Sequence, residues 1–172
     1  SLSSNGKRVA IGARYNDSPT GADAGHVRVY AFSSGRWIQQ GIDIHGEAAN
    51  DNSGESVSLS SNGLTLAIGA SGNMANGTAS GHVRVFKNIS GDWVQQGNDI
   101  DGEAAHDFSG ESVSLSGNGL TLAISATGNS GNGSNSGHVR VYRYINENWI
   151  QQGNDIDGEE VYDVSGSSIS LS

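Results

Sequence analysis

Large apolar residues alternate with small or polar ones along most of the chain, and this period of two is typical of β-strands rather than helices. In the middle of the chain four short segments carry the pattern, at residues 56–60, 64–70, 82–87 and 92–100. Successive side chains of a strand point to opposite faces, so Leu66 and Ile68 share one face and Ala67 lies on the other. The pattern predicts sheets with one face of large side chains and one of small side chains.

Tight turns are predicted between the first and second of these segments. The pair Asn62-Gly63 lies there, and the same pair recurs at residues 5–6 and 118–119. Asparagine and glycine both tolerate the positive φ that a two-residue hairpin turn requires. We therefore expect three β-hairpins.

The segments belong to a unit that is repeated along the chain. The sequence Gly-His-Val-Arg-Val-Tyr at residues 25–30 returns at 81–86, with Phe in last place, and at 137–142. The single repeat domain at residues 1–172 divides approximately into units 1–55, 56–111 and 112–167, and residues 168–172 begin a further unit. Near-copies in tandem indicate a fold that stacks one module repeatedly.

Tandem units of four antiparallel strands are typical of an all-β fold, the β-propeller, in which each unit is one blade. The small face of a blade would pack on the large face of the next, which accounts for 26 glycines. An immunoglobulin-like sandwich is the alternative, although it does not need three near-copies of one sheet. Because closed propellers have about four to eight blades, we expect a fragment of a larger propeller or half of an oligomeric one. Further blades from the parent chain, or a second copy, are therefore expected partners.

The charge balance narrows the range of functions. The chain has 9 Lys and Arg, 18 Asp and Glu and no Cys, and its formal net charge is -9 at pH 7. Binding to nucleic acid through phosphates requires clustered basic residues, so nucleic acid is not an expected partner. No run of 18 apolar residues is present, so membrane insertion is not expected.

The quoted residues resemble a known repeat family. Ser-Val-Ser-Leu-Ser at 56–60, Asn62-Gly63, Leu-Ala-Ile-Gly-Ala at 66–70, the segment 81–86 and Trp93 are similar to FG-GAP repeats of integrin-type β-propellers. The resemblance implies the propeller fold and a place among adhesion, carbohydrate-contacting or enzyme-associated modules of the extracellular space or cell surface. In that family calcium binds an Asp-rich loop between the first two strands, but residues 60–63 and 116–119 hold no acid. The resemblance therefore does not carry this calcium site over.

A second acidic stretch offers weaker calcium candidates. Asp99 and Asp101 lie in one copy of this stretch, and Asp155 and Asp157 lie in the next. Calcium takes six to eight oxygen ligands, yet Asp before Gly is also ordinary turn chemistry. We expect a solvated or capping role for these residues, and no cofactor.

Repeated histidine, arginine and tryptophan residues invite a functional interpretation. The chain repeats His26, His82 and His138; Arg28, Arg84 and Arg140; and Trp37, Trp93 and Trp149. A catalytic site is normally built once, so threefold repetition favours hydrogen bonds between blades over catalysis. The tryptophans could stack on sugars, but one in each blade favours packing of the outer strand. We expect no enzymatic activity from this chain.

The variable loops predict where a partner binds. Loops 12–24, 69–80 and 125–136 differ between units, and antiparallel blades bring them to the same rim as the links between blades. Those links carry the candidate binding residues Glu47, Asp51, Glu103, Asp107, Glu159 and Asp163. The sequence predicts a non-enzymatic recognition or adhesion module that binds a protein or glycan with basic or hydroxyl-rich groups. The alternatives are an accessory propeller of a larger enzyme, and acids that only satisfy backbone N–H groups of a long turn.

Overall fold

The computed structural model describes all residues, Ser1–Ser172, and it contains three antiparallel sheets and no helix. The first sheet holds β1 (Arg8–Ala13), β2 (His26–Ser33), β3 (Arg36–Gln39) and β4 (Ile44–His45). The second holds β5 (Ser56–Leu59), β6 (Thr65–Ala70), β7 (His82–Ile89), β8 (Asp92–Gln95) and β9 (Ile100–Asp101). The third holds β10 (Ser109–Leu115), β11 (Thr121–Ala126), β12 (His138–Ile145), β13 (Asn148–Gln151) and β14 (Ile156–Asp157).

Each sheet is one blade in which consecutive strands are neighbours. The second blade has the order β5-β6-β7-β8, and β9 also pairs with β7. The third blade repeats this arrangement, whereas the innermost strand of the first blade is reduced to one bridge between Leu2 and Val9. The all-β prediction and the blade assignment are thus confirmed.

The outermost predicted strand, residues 92–100, is split in the structure. β8 pairs with the end of β7 through Phe86 and Gln95, and β9 pairs with its start through Val83 and Ile100. Gly97 lies between them with φ of 80°, which turns the chain out of an extended path. A single continuous strand was therefore the wrong prediction.

The predicted hairpins are present, but their turns use asparagine differently than expected. Gly63 has φ of 67°, whereas Asn62 has no positive φ. Instead, the Asn62 side-chain oxygen accepts a hydrogen bond of 2.8 Å from the backbone N–H of Leu64. Asparagine thus stabilises this turn through its side chain rather than through a left-handed backbone.

The blades pack large face on smaller face, as the alternation predicts. Between the first two blades the core consists of Ala10, Val27, Val29 and Ile44 against Leu59, Leu66, Ile68 and Phe86. Between the second and third it consists of Ala67, Val83, Val85 and Ile100 against Val113, Leu115, Leu122, Ile124 and Tyr142. The hydrophobic core therefore lies between blades rather than within one.

A close backbone approach accompanies this packing. A Cβ atom added at Gly69 would lie 2.0 Å from the carbonyl oxygen of Gly110 in the next blade, and at Gly12 it would lie 1.9 Å from that of Gly54. No side chain fits in such a gap, so these glycines let neighbouring blades touch through their backbones.

The outer faces of the first and last blades expose residues whose counterparts are buried. Ile11 is 52% exposed, whereas Ile124 at the same place in the third blade is 1% exposed. Ile156 is also exposed, whereas its counterparts Ile44 and Ile100 are buried by the following blade. Burial at these positions therefore comes from the neighbouring blade.

This difference supplies a matched pair of substitutions. We expect Ile124→Asp to lower the free energy of unfolding by about 3–5 kcal/mol, because it places an unpaired charge in the core. Ile11→Asp makes the same change on an open face, so its expected cost is about 1 kcal/mol or less. Urea denaturation followed by circular dichroism measures both, and equal losses would contradict this account of the core.

Candidate functional site

One end of the blades gathers the variable loops and the links between blades. We call this surface the loop rim; it comprises the loops 14–25, 71–81 and 127–137 and the links 46–54, 102–108 and 158–165. Backbone hydrogen bonds join the two sets, as from Asn50 N–H to the Ala22 carbonyl and from His106 N–H to the Thr78 carbonyl. The structure thus brings together the loops and links that the sequence assigns to one rim.

The aspartates among the candidate binding residues hold the links in place. Asp51 is 1% exposed, and one of its carboxylate oxygens accepts hydrogen bonds of 2.9 Å from the backbone N–H groups of Glu47 and Ala48. Its other oxygen accepts a hydrogen bond of 3.1 Å from the Asn73 amide. A partner could not contact this carboxylate without opening the turn.

The other two aspartates repeat the arrangement. Asp107 is buried and accepts hydrogen bonds from Ala104 N–H and from the Asn129 amide. Asp163 is exposed, and it accepts hydrogen bonds from the N–H groups of Glu159 and Glu160. All three aspartates therefore satisfy backbone donors of a turn.

The glutamates Glu47 and Glu103 face the next blade. Arg84 Nη1 lies 3.4 Å from Glu47 Oε1, and Arg140 Nη1 lies 3.3 Å from Glu103 Oε1. Both arginine side chains are buried. The predicted hydrogen bonds between blades are confirmed for them, since Arg84 Nη2 donates to the carbonyl of His45 at 2.7 Å and Arg140 Nη2 donates to that of Asp101 at 3.2 Å. Glu159, the third member of the set, is exposed on the last blade.

In the first blade the same arginine has a different partner. Arg28 forms three hydrogen bonds of 2.8–3.0 Å to Asp43 of its own blade. These bonds from Arg28, with a further one from Gln39, lower the pKa of Asp43 to about 2. The counterparts of Asp43 are Asp99 and Asp155, which are left without an arginine because Arg84 and Arg140 reach the preceding blade.

Two histidines lie between these groups. His82 is 1% exposed, and its Nδ1 atom lies 3.9 Å from Glu47 Oε2 and 3.9 Å from Asp99 Oδ2. His138 is equally buried, and its Nδ1 atom lies 3.4 Å from Asp155 Oδ2. Burial lowers the pKa of both imidazoles, and the adjacent Arg84 or Arg140 lowers it further. Both rings are therefore neutral at neutral pH.

The structure separates the four predicted calcium candidates into two pairs. Asp99 and Asp155 belong to the histidine clusters, and their Oδ1 atoms each accept a hydrogen bond of 2.6 Å, from Gln95 and Gln151 respectively. Asp101 and Asp157 lie in β9 and β14, opposite the backbone of the histidine strands, and they belong to neither cluster. Sequence reasoning missed that Glu47 and Glu103 join the clusters.

A cavity of about 380 Å³ opens at the loop rim. It is lined by Glu55, Ser71, Phe108, Glu111, Thr127, Gly128, Asn135 and Val164. Ser71 and Arg14 both bind the Glu55 carboxylate, whereas Thr127 binds only one oxygen of Glu111. The cavity thus combines an apolar wall with a carboxylate oxygen that has no partner in the chain.

The sequence analysis missed this cavity. A glutamate recurs at residue 55, immediately before β5, and at residue 111, within β10, and a hydroxyl residue recurs at 71 and 127. That recurrence was the available signal. Only the packing of blades shows that these residues meet Phe108 from the link between the second and third blades.

The tryptophans bridge neighbouring blades. Trp93 Nε1 donates to the Gln40 carbonyl at 3.0 Å, and Trp149 Nε1 donates to that of Gln96 at 2.8 Å. Trp37 lies on the open face of the first blade and is exposed. The predicted packing role is confirmed for Trp93 and Trp149. Sugar stacking was the less favoured alternative and stays untested.

The fold and the repeat together define a propeller-type repeat protein. The model of the FG-GAP repeat matches residues 45–86 and 99–142, which is half of the chain. This chain therefore belongs to the FG-GAP repeat family. No curated protein matches it.

Solved structures with the same architecture are much longer. A candidate 6-phosphogluconolactonase from Bacteroides fragilis is 14% identical with a TM-score of 0.62, covering 94% of this chain and 39% of that one. Hydrazine synthase from Kuenenia stuttgartiensis is 14% identical with a TM-score of 0.55, covering 91% and 35%. A second candidate 6-phosphogluconolactonase, from Bacteroides uniformis, is 15% identical with a TM-score of 0.52, covering 88% and 38%. The chain thus spans less than two fifths of these proteins, and the likeness shows the fold alone.

Nothing in the structure resembles a membrane-spanning helix: no helix is long and apolar enough to cross a bilayer.

The turn role of the aspartates can be measured directly. We expect Asp51→Asn to lower the free energy of unfolding by about 2 kcal/mol, because the buried carboxylate accepts three hydrogen bonds and the amide replaces one of its acceptor oxygens by a donor. Asp163→Asn changes the same turn where it is exposed, so it should cost clearly less. Urea denaturation compares the two, and an unchanged stability of Asp51→Asn would contradict the turn role.

The buried histidines should make stability depend on pH. Their pKa values in the folded chain are lowered from 6.5, although Glu47, Asp99 and Asp51 oppose the shift at His82. Below pH 6.5 the unfolded chain therefore takes up protons first, and stability falls as pH falls through the window below this value. Replacing His82 and His138 by Gln should flatten that fall.

The measurement is the urea midpoint between neutral and mildly acidic pH in the presence of a metal chelator. The exposed His106 is the control position for the same substitution. A slope that persists unchanged in the His82→Gln/His138→Gln variant would show that other groups cause it.

Proposed function

We propose that this chain is a non-enzymatic recognition or adhesion module that binds a protein or glycan through the loop rim. The observation that carries the proposal is the cavity at the rim, where Phe108 and Val164 lie beside Glu111 and Thr127. Ligand sites are typically concave and apolar with a few polar groups that orient the ligand. The cavity is concave and more polar than this norm, because Phe108 and Val164 are its two apolar side chains and five other lining residues are polar.

The chemistry of the lining favours a ligand with an apolar body and a polar or cationic end. The Phe108 ring offers a face to the apolar side of a sugar or to the stem of a basic side chain. The free oxygen of Glu111 would accept a hydrogen bond from a hydroxyl or an ammonium group. The net charge of -9 would add a long-range attraction for basic partners, which weakens as salt rises.

The repeat supports a recognition role in a second way. The loops of the rim vary between units while the strands that carry them scarcely change. Variable loops on a constant scaffold are typical of binding modules. Membership of the FG-GAP family, whose repeats are often extracellular, supports a place in a secreted or surface protein.

Neighbouring blades are the second kind of partner that we propose. The first blade exposes Ile11, Arg28 and Trp37, and the last exposes Ile156 and Glu159, although equivalents of these residues meet at the two internal contacts. A further blade, from the parent chain or a second copy, would bury these faces in the same way.

A ligand screen followed by two substitutions tests the cavity. The native chain is screened against glycans and against peptides that contain lysine or arginine. For a ligand so found, Glu111→Gln and Phe108→Ser should each weaken binding about tenfold or more, which corresponds to about 1.4 kcal/mol. Isothermal titration calorimetry at two salt concentrations measures the affinities.

The control is Asp92→Asn, which removes the same charge from an exposed position in β8, outside the cavity. Unchanged affinity in this variant, with weaker binding in the cavity variants, supports the site. Equal affinities in all variants would remove the cavity from the proposal.

A further inference from the structure

Two identical side-chain clusters lie at the contacts between blades, apart from the cavity of the loop rim. One consists of Glu47, His82 and Asp99, and the other of Glu103, His138 and Asp155. In each cluster one ligand atom from every residue lies within 4.8 Å of the other two. The glutamate comes from one blade and the other two residues come from the next, so each cluster exists only because two blades are packed together.

The imidazole at the centre of each cluster has no hydrogen-bond partner. His82 is almost completely buried and makes no hydrogen bond: its Nδ1 atom faces two carboxylates at 3.9 Å, beyond hydrogen-bond distance, and its Nε2 atom is enclosed without a partner. A buried polar group without a partner costs free energy, and such an exception calls for an explanation. A ligand between the three residues would satisfy Nδ1 and both carboxylates at once.

The surroundings leave one oxygen of each carboxylate free for such a ligand. In the first cluster Arg84 approaches Glu47 Oε1, and Gln95 binds Asp99 Oδ1, so that Oε2 and Oδ2 face the histidine. In the second cluster Arg140 approaches Glu103 Oε1, and Gln151 donates a hydrogen bond to Asp155 Oδ1. Polar partners that orient ligating side chains in this way are typical of metal sites.

We propose that each cluster binds one Zn²⁺ ion through a glutamate oxygen, a histidine Nδ1 atom and an aspartate oxygen. Bonds of about 2.0–2.2 Å around a tetrahedral zinc ion place ligand atoms about 3.3–3.6 Å apart. The separation of 3.4 Å between His138 Nδ1 and Asp155 Oδ2 fits this value, and the separations of 3.9 Å at His82 need a closure of a few tenths of an ångström. Glu103 has to move closer to His138, because their ligand atoms lie within 4.8 Å of each other but not within 4.0 Å. Water would complete the coordination.

The donor set distinguishes zinc from calcium. Calcium prefers six to eight oxygen ligands, whereas a site with an imidazole nitrogen and two carboxylates suits zinc and similar transition ions. Burial keeps the imidazole neutral at neutral pH, which is the form that binds a metal. The two carboxylate charges balance the charge of the ion.

The first blade provides an internal comparison. His26 Nδ1 is hydrogen-bonded to Asn16 Oδ1 at 2.8 Å, and Asp43 is held by Arg28. None of residues 1–172 places a glutamate beside His26, so within this structure the ligand set has two members, and both already have partners. The proposal therefore assigns two zinc ions to this chain and none to the first blade.

Isothermal titration of the tag-free native chain with Zn²⁺ tests the stoichiometry. Two ions per chain are expected, and titration with Ca²⁺ should give no comparable binding. Because each ion joins two blades, saturating Zn²⁺ should also raise the melting temperature by mass action. Failure to bind Zn²⁺, or a preference for Ca²⁺ at these residues, would overturn the proposal.

Single substitutions assign the ions to the clusters. Glu47→Gln and Asp99→Asn should each weaken one site about tenfold or more and leave the other intact, and Glu103→Gln and Asp155→Asn should do the same for the second site. These carboxylates are partly exposed, so replacing them tests metal binding without removing a side chain from the hydrophobic core. Circular dichroism confirms that each variant is folded.

Histidine substitutions and a spectroscopic probe complete the test. His82→Gln should remove the first site, and His26→Gln, the matched control, should retain two ions. Co²⁺ bound in place of Zn²⁺ should give the intense visible bands of four-coordinate cobalt, reduced by half in folded Asp99→Asn or Asp155→Asn. Two ions retained in these folded variants would show that zinc binds elsewhere and the proposal would fail.

Discussion

The packing of one blade on the next is the constraint on which the rest of this structure depends. The core lies between blades, where the smaller face carrying Ala67 meets the larger face carrying Leu122 and Ile124. The backbone contact between Gly69 and Gly110 is possible only because neither residue has a side chain. Hydrophobic burial and close backbone approach therefore reinforce one another, and the spacing between blades leaves little freedom to vary.

This constraint also determines the chemistry at the contacts. Arg84 reaches across the contact to Glu47 and the His45 carbonyl, whereas Arg28, on the open face of the first blade, binds Asp43 of its own sheet. Because Arg84 binds the preceding blade rather than Asp99, the Asp99 carboxylate faces His82 instead of a guanidinium group. The same residues at the same places in the repeat thus have different partners, and the neighbouring blade causes the difference.

Much of the fold could be predicted from the sequence, because the period of two, the Asn-Gly pairs and the fixed repeat are all local or periodic signals. The split of the outer strand at Gly97 was missed, because the segment 92–100 was treated as one strand although its alternation is weak and Gly97 interrupts it. Of the candidate site, the shared rim was predicted correctly. That the acids only satisfy backbone N–H groups of a turn was the alternative left open, and Asp51 has that role in the structure. Composition cannot separate a turn acceptor from a binding group. The cavity between Glu111 and Phe108, and the approach of Glu47 to His82, arise from contacts between blades that no local pattern contains.

Departures from strict repetition show where the scaffold tolerates change. The third blade has Ser125 where the others have Gly12 and Gly69, and its hydroxyl accepts a hydrogen bond from the Ser112 N–H group within the same sheet. The third unit likewise has Ser167 where Glu55 and Glu111 line the rim cavity. Both exchanges lie on the side of the last blade that would meet a following one. At the two internal contacts most core residues are the same, with Phe86 replaced by Tyr142 as an exchange of similar size, whereas the outer face of the last blade carries the changes to Ser125 and Ser167.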